Sequence, residues 1–81
     1  MITLSDVKKA MGVTGTYNDD QLQPFFDDVV DYIRGAGVSD ANITAGIVAR
    51  GVLDTWNYGA GDGKMSEYFY HRVAQLSYKS L

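Results

Sequence analysis

The stretch Asn18-Asp19-Asp20-Gln21-Leu22-Gln23-Pro24-Phe25-Phe26-Asp27-Asp28-Val29-Val30-Asp31-Tyr32-Ile33-Arg34 decides the fold class. Leu22, Phe25, Phe26, Val29 and Ile33 recur at i, i+3, i+4, i+7 and i+11, the apolar stripe of an amphipathic helix, and a helix is predicted over 19–34. Asn18 is placed to cap it, with Gln21 in the reciprocal position, and Asp19 and Asp20 suit the positive end of the dipole. Pro24 falls in the second turn and is expected to disturb or kink it. The opposite face carries Asp20, Asp27, Asp28 and Asp31, with Arg34 near the end and Gly35 and Gly37 closing the helix.

Working outward, the same period recurs on both sides. A first helix is predicted over 4–11, with Thr3 as N-cap, Asp6 completing a capping box, Ile2 and Val7 as a staple and Gly12 as the stop. Its stripe is Leu4, Val7 and Met11. A third helix over 44–57 carries Ala45, Val48, Ala49, Val52, Leu53 and Trp56. A second apolar patch, Ile47 and Tyr58 with Gly51 between, lies well round from that stripe, which marks this helix as the central one. Arg50 and Asp54 form an i, i+4 pair on its narrow polar strip. Gly46 and Gly51 are costly in a helix interior, so a closely approaching neighbour is expected beside them. A fourth helix over 67–79, capped by Ser66, turns Phe69, Val73 and Leu76 inward. Its other face gathers Tyr68, His71, Arg72, Gln75, Tyr78 and Lys79. No alternating stretch competes, and the expectation is one all-α domain over 1–81: a compact bundle of four helices joined by short Gly-containing loops.

Length and composition bound the function. Eighty-one residues, 46% hydrophobic, 21% charged and without cysteine, allow one domain and exclude both a disulfide scaffold and a thiolate zinc site. Size scaling gives about 4,800 Å² of folded surface against about 13,000 Å² unfolded, so about 60% is buried: a thin core that neighbours are able to complete. No apolar run approaches the roughly 20 residues that cross a bilayer, and the N-terminus lacks a basic leader, so a cytosolic protein is expected. The net charge is −3, unevenly spread: residues 1–40 carry seven acidic against three basic side chains, and residues 41–81 three against four. No concentrated basic patch of the kind that neutralises phosphates is visible.

The motifs that carry chemistry are weak. Gly59-Ala60-Gly61-Asp62-Gly63-Lys64-Met65-Ser66 resembles a phosphate-cradling loop, yet Tyr58 stands where a P-loop needs its first glycine and Met65 where it needs Ser or Thr. A flexible glycine-rich connection is the better reading. Asp54, Asn57 and Asp62 do not follow the alternating acids of a calcium loop. His71, the single histidine, has no second ligand or nucleophile beside it. The four aspartates opposite an apolar stripe read as a solvated face, whereas paired acid–base catalysis needs carboxylates in unlike environments. No enzyme, cofactor or metal is expected. Tyr68 and Tyr78 share their face with His71, Arg72 and Lys79, and Tyr and Arg are enriched in protein contacts. That face is either solvated or an interface.

The segment Trp56-Asn57-Tyr58-Gly59-Ala60-Gly61-Asp62-Gly63-Lys64 carries a further signal. It is preceded by Ile47-Val48-Ala49-Arg50-Gly51-Val52 and followed by Met65-Ser66-Glu67-Tyr68-Phe69. Together with Leu4-Ser5-Asp6-Val7-Lys8 and Asn18-Asp19-Asp20-Gln21-Leu22, it resembles the small head–tail connector (adaptor, or head-completion) proteins of long-tailed phages and prophages. The resemblance spans nearly the whole chain and is most specific over 56–66. Members of that family often continue into a longer C-terminal segment.

The resemblance implies an all-helical virion subunit, made in the host cytoplasm, that assembles as a homo-oligomeric ring of about a dozen copies beneath the portal protein. Such a ring extends the DNA channel during head completion and offers a docking surface to the next neck or tail-completion protein, with DNA only as passing cargo. It implies no catalysis, cofactor or membrane. On that reading Tyr58, Gly59, Gly61, Asp62, Gly63, Lys64, Tyr68, Arg72, Tyr78 and Lys79 are candidate interface residues. The acidic face of Asp20, Asp27, Asp28 and Asp31 is a candidate for the channel wall or a subunit boundary, where phosphates would be repelled instead of retained. The alternative is a small helical DNA-binding regulator of a prophage, reading DNA with His71, Arg72, Gln75 and Lys79.

Overall fold

Thr3 starts the first helix, α1, which spans Leu4–Met11 in a computed structural model that describes residues 2–16, 19–57 and 66–80, with the backbone alone at 56 and 57. The Thr3 hydroxyl accepts from the Asp6 N–H at 3.3 Å, and the Asp6 carboxylate accepts from the Thr3 N–H at 3.0 Å. This is the predicted capping box. Val7 is fully buried, and Ile2, Leu4 and Met11 pack against the same core. At the other end Gly12 takes φ 76°. Its N–H bonds Lys9 O at 3.2 Å, and the Val13 N–H bonds Lys8 O at 2.9 Å, a Schellman cap.

Helix α2 spans Asp19–Gly35. Leu22, Phe26, Val29 and Ile33 are buried as their spacing predicts, Phe25 is half-buried, and Val30 widens the buried stripe. Pro24 leaves α2 unbroken. A proline inside a helix costs about 3 kcal/mol, but five buried apolar side chains at roughly 1.5–3 kcal/mol each outweigh that. Pro24 is also exposed, so water reaches the carbonyl its missing N–H leaves without a partner. The Asn18 cap lies outside the described residues.

The end of α2 repeats the cap of α1. Gly37, at φ 96°, donates to Arg34 O at 3.0 Å, and Val38 donates to Ile33 O at 3.3 Å. Val38 follows the glycine into the core beside Ile33, the apolar pairing such caps favour. A single 3-10 turn, η1, spans Asp40–Asn42 and delivers Ile43 to the core. Arg34 holds this turn through two bonds to the Asp40 carboxylate, at 2.9 and 3.2 Å.

Helix α3 spans Ala45–Asn57 and packs against α1, α2 and α4, the central position its two apolar sides predict. Ile47, Val48, Ala49, Gly51 and Val52 are buried. The expectation for Gly46 is corrected: a Cβ built there meets nothing within 4 Å. Gly46 is the second residue of α3 and opens onto solvent, where no neighbouring backbone crosses. Helix α4 spans Glu67–Lys79, with the Ser66 hydroxyl accepting from the Phe69 N–H at 3.2 Å. Phe69, Val73 and Leu76 are buried.

The chain is thus an all-α bundle of four helices, with no strand among the described residues. Its accessible surface, 5083 Å², agrees with the size scaling, and its radius of gyration, 12.1 Å, lies close to the value of about 11.7 Å for a compact domain of this length.

Candidate functional site: a basic groove and an acidic helix face

Helix α4 runs back along α3, and two polar ties fix it there. At one end Asp54 accepts from the Ser66 N–H at 2.9 Å. At the other, the Ser80 hydroxyl accepts from the Ser39 N–H and the Asn42 side chain, each at 2.9 Å, and donates to Leu76 O at 2.8 Å. The Ser77 hydroxyl adds a bond to Ala36 O at 2.9 Å.

Asp54 lies on the narrow polar strip of α3 yet is closed off from solvent. The Arg50–Asp54 pair forms, at 2.8 Å, but Asp54 is only 3% exposed. The start of α4 covers it. Burial raises its carboxyl, yet hydrogen bonds from Ser66 and Arg50 outweigh burial and hold the pKa below the ordinary 3.8. One buried carboxylate therefore fixes the Arg50 guanidinium and the first turn of α4 together.

Between the two helices that Asp54 aligns lies an open groove of about 250 Å³, lined by Thr44, Gly46, Ile47, Arg50, Tyr68 and Arg72. Successive helical residues turn by about 100°, so Tyr68, Arg72, Gln75 and Lys79 share one narrow strip of α4. His71 and Tyr78 occupy the adjoining one. Tyr68 is 60% exposed and Tyr78 79%. Arg72 donates to the Gln75 side chain at 3.0 Å, and no carboxylate reaches it among the described residues.

Of the interface residues expected from sequence, the fold brings Tyr68 and Arg72 together in this groove. Tyr78 and Lys79 are exposed at the far end of α4, about 10 Å beyond Arg72 along the helix axis. Tyr58, Gly59, Gly61, Asp62, Gly63 and Lys64 lie outside the described residues, as does the side chain of Trp56. Arg50 and Ile47 were not among the expected interface residues. Their signal was the second apolar patch of α3: Ile47, Arg50, Gly51 and Asp54 share one flank of that helix, the flank that α4 covers.

The acidic face is present as expected. Asp20, Asp27, Asp28 and Asp31 are all exposed and point away from the buried stripe of α2. Asp27 accepts from the Gln23 amide at 2.9 Å. On its flank toward α4, α2 makes aromatic contacts: the Tyr32 ring lies 5.8 Å from Phe69 and 5.6 Å from Tyr70, centroid to centroid. Around α4, then, Tyr70 faces α2 on one side, while Tyr68 and Arg72 face the groove on the other.

His71 is exposed on α4. No group of three or more metal-ligating side chains occurs among the described residues, and no helix among them is long and apolar enough to cross a membrane. Compared with protein-family models, with curated proteins and with solved structures, the chain finds no match.

Proposed function

We propose that this chain is a structural adaptor subunit of a phage or prophage virion, forming a ring between the portal and the neck or tail proteins. The observation that carries the reading is the resemblance of its sequence to head–tail connector proteins, which spans nearly the whole chain and is most specific over 56–66. The geometry adds support. A small helical domain presents an outward row of carboxylates on α2, suited to a wall along which DNA slides. On a different face it presents a preorganised basic and aromatic groove of the kind used in protein contacts. Purified chain mixed with its cognate portal ring should co-migrate with that ring in size-exclusion chromatography. No association at micromolar concentration overturns the adaptor reading.

The DNA-binding alternative has the exposed strip of Arg72, Gln75 and Lys79, with His71 adjoining, in its favour. It requires duplex affinity that falls steeply with salt. Absence of duplex binding at low salt eliminates it.

A further inference from the structure

We infer that the Arg50–Tyr68–Arg72 groove is a docking site for the acidic face of α2 on a second copy of this chain. The inference rests on the self-assembling part of the adaptor reading and names the two surfaces that would meet. At about 250 Å³ the groove is smaller than the 300–1,000 Å³ typical of cofactor pockets, but it suits one or two inserted side chains. Its chemistry selects anions: two guanidinium groups line it, Arg50 from α3 and Arg72 from α4, together with the Tyr68 ring of α4. A guanidinium carries five N–H donors. Arg50 uses one on Asp54, and Arg72 uses one on the neutral Gln75, among the described residues. Because the buried Asp54 holds Arg50 in place, little side-chain freedom is lost on binding.

The complementary surface is on the same chain but cannot reach the groove. Asp27 and Asp31 lie one turn apart on α2, the spacing at which two carboxylates project side by side, with Asp28 next to them. They point outward from α2, and α4 stands between α2 and the groove, with Tyr70 against Tyr32 on one flank and Arg72 in the groove on the other. Two complementary patches on different faces of one subunit pair head to tail between copies. Repeated contacts of that kind close a ring when the rotation permits, or extend as a filament. Opposite charges at such a boundary steer assembly and set its register.

The test is sedimentation of the full chain across ionic strength, with charge-reversal variants. The wild-type chain should self-associate at low salt and dissociate as salt rises. Arg72→Glu should weaken self-association about tenfold or more, as should Asp27→Lys combined with Asp31→Lys. All three positions are exposed, so unchanged circular dichroism and melting should accompany the loss. Mixing the two variants should restore association, because the reversed groove of one meets the reversed face of the other. Tyr68→Ala, which carries no charge change, should weaken assembly without altering its salt dependence. A chain that stays monomeric at low salt overturns the inference, as does association that Arg72→Glu leaves intact. Association that needs Arg72 and ignores the aspartates also overturns it, because the groove then holds some other anion. A chain that self-associates as described yet ignores the portal leaves this interface standing and removes the adaptor reading. Portal binding by a chain that never self-associates does the reverse.

Discussion

At the scale of single residues, Gly37 and Gly46 separate two reasons for a glycine. Gly37 sits at φ 96°, and a Cβ there would lie 3.2 Å from the Ser77 hydroxyl oxygen. That hydroxyl is already committed to Ala36 O. The left-handed conformation alone costs a non-glycine residue roughly 1–2 kcal/mol, so Gly37→Ala should lower the free energy of unfolding in urea by about 2 kcal/mol. Gly46 has neither constraint. Gly46→Ala should raise stability by about 0.5 kcal/mol, because it narrows the unfolded ensemble without meeting a neighbour. The sequence marks both as glycines and does not rank them: the difference lies in a Ser77 contact that spans forty residues of chain. Asp54 makes the same point. Its pairing with Arg50 follows from i, i+4 spacing, whereas its burial depends on α4 folding over it.

At the scale of elements, the helices were legible because their signals are local. Thr3, Ser66, Gly12 and the apolar stripes fix where helices start, stop and face, and the predicted boundaries of α1, α2 and α4 and the predicted start of α3 lie within a residue of the observed ones. The connection between α2 and α3 was not legible. Val38 and Ile43 belong to no period; Val38 is buried because a Schellman cap carries it back onto Ile33, and Ile43 because η1 turns it inward. That turn is held from outside by Ser80, whose hydroxyl takes two donors from the connection and returns its own proton to α4. Ser80→Ala therefore removes three bonds and should cost about 1–2 kcal/mol. In hydrogen exchange the Ser39 amide, and those of η1 behind it, should lose protection, while the centre of α3 keeps it. Equal loss in both places would mean the tie stabilises the whole bundle instead of this segment. The groove was half legible for the same reason: Tyr68 and Arg72 share a helical strip, but Arg50 joins them only across a helix pair.

At the scale of the whole molecule, three carboxylates among the described residues tie stability to pH. Asp6 is lowered by the Thr3 backbone and hydroxyl bonds, Asp40 by its bonds to Arg34, and Asp54 by bonds from Ser66 and Arg50 that overcome its burial. Each folded value lies below the ordinary 3.8, so between the two values the unfolded chain binds more protons than the folded one. Their contribution is complete above that range. It is lost as pH falls through the lowered folded values, and below them nothing more is lost. Urea unfolding at a series of pH values should therefore show a decline that begins near pH 4. Asp54→Asn should destabilise the chain at pH 7 and flatten that decline, since the neutral amide keeps the shape and loses the charge-assisted bonds. Salt separates the buried group from the exposed ion pair. At 1 M the screening length is about 3 Å, which weakens the exposed Arg34–Asp40 pair but reaches a buried carboxylate poorly. The slope that survives in 1 M salt should then be that of Asp54 together with Asp6, whose Thr3 bonds salt does not screen, and Asp54→Asn should reduce it. An Asp54→Asn chain whose high-salt acid decline matches the wild type would show that the α3–α4 clasp is held by packing, with the buried charge contributing nothing.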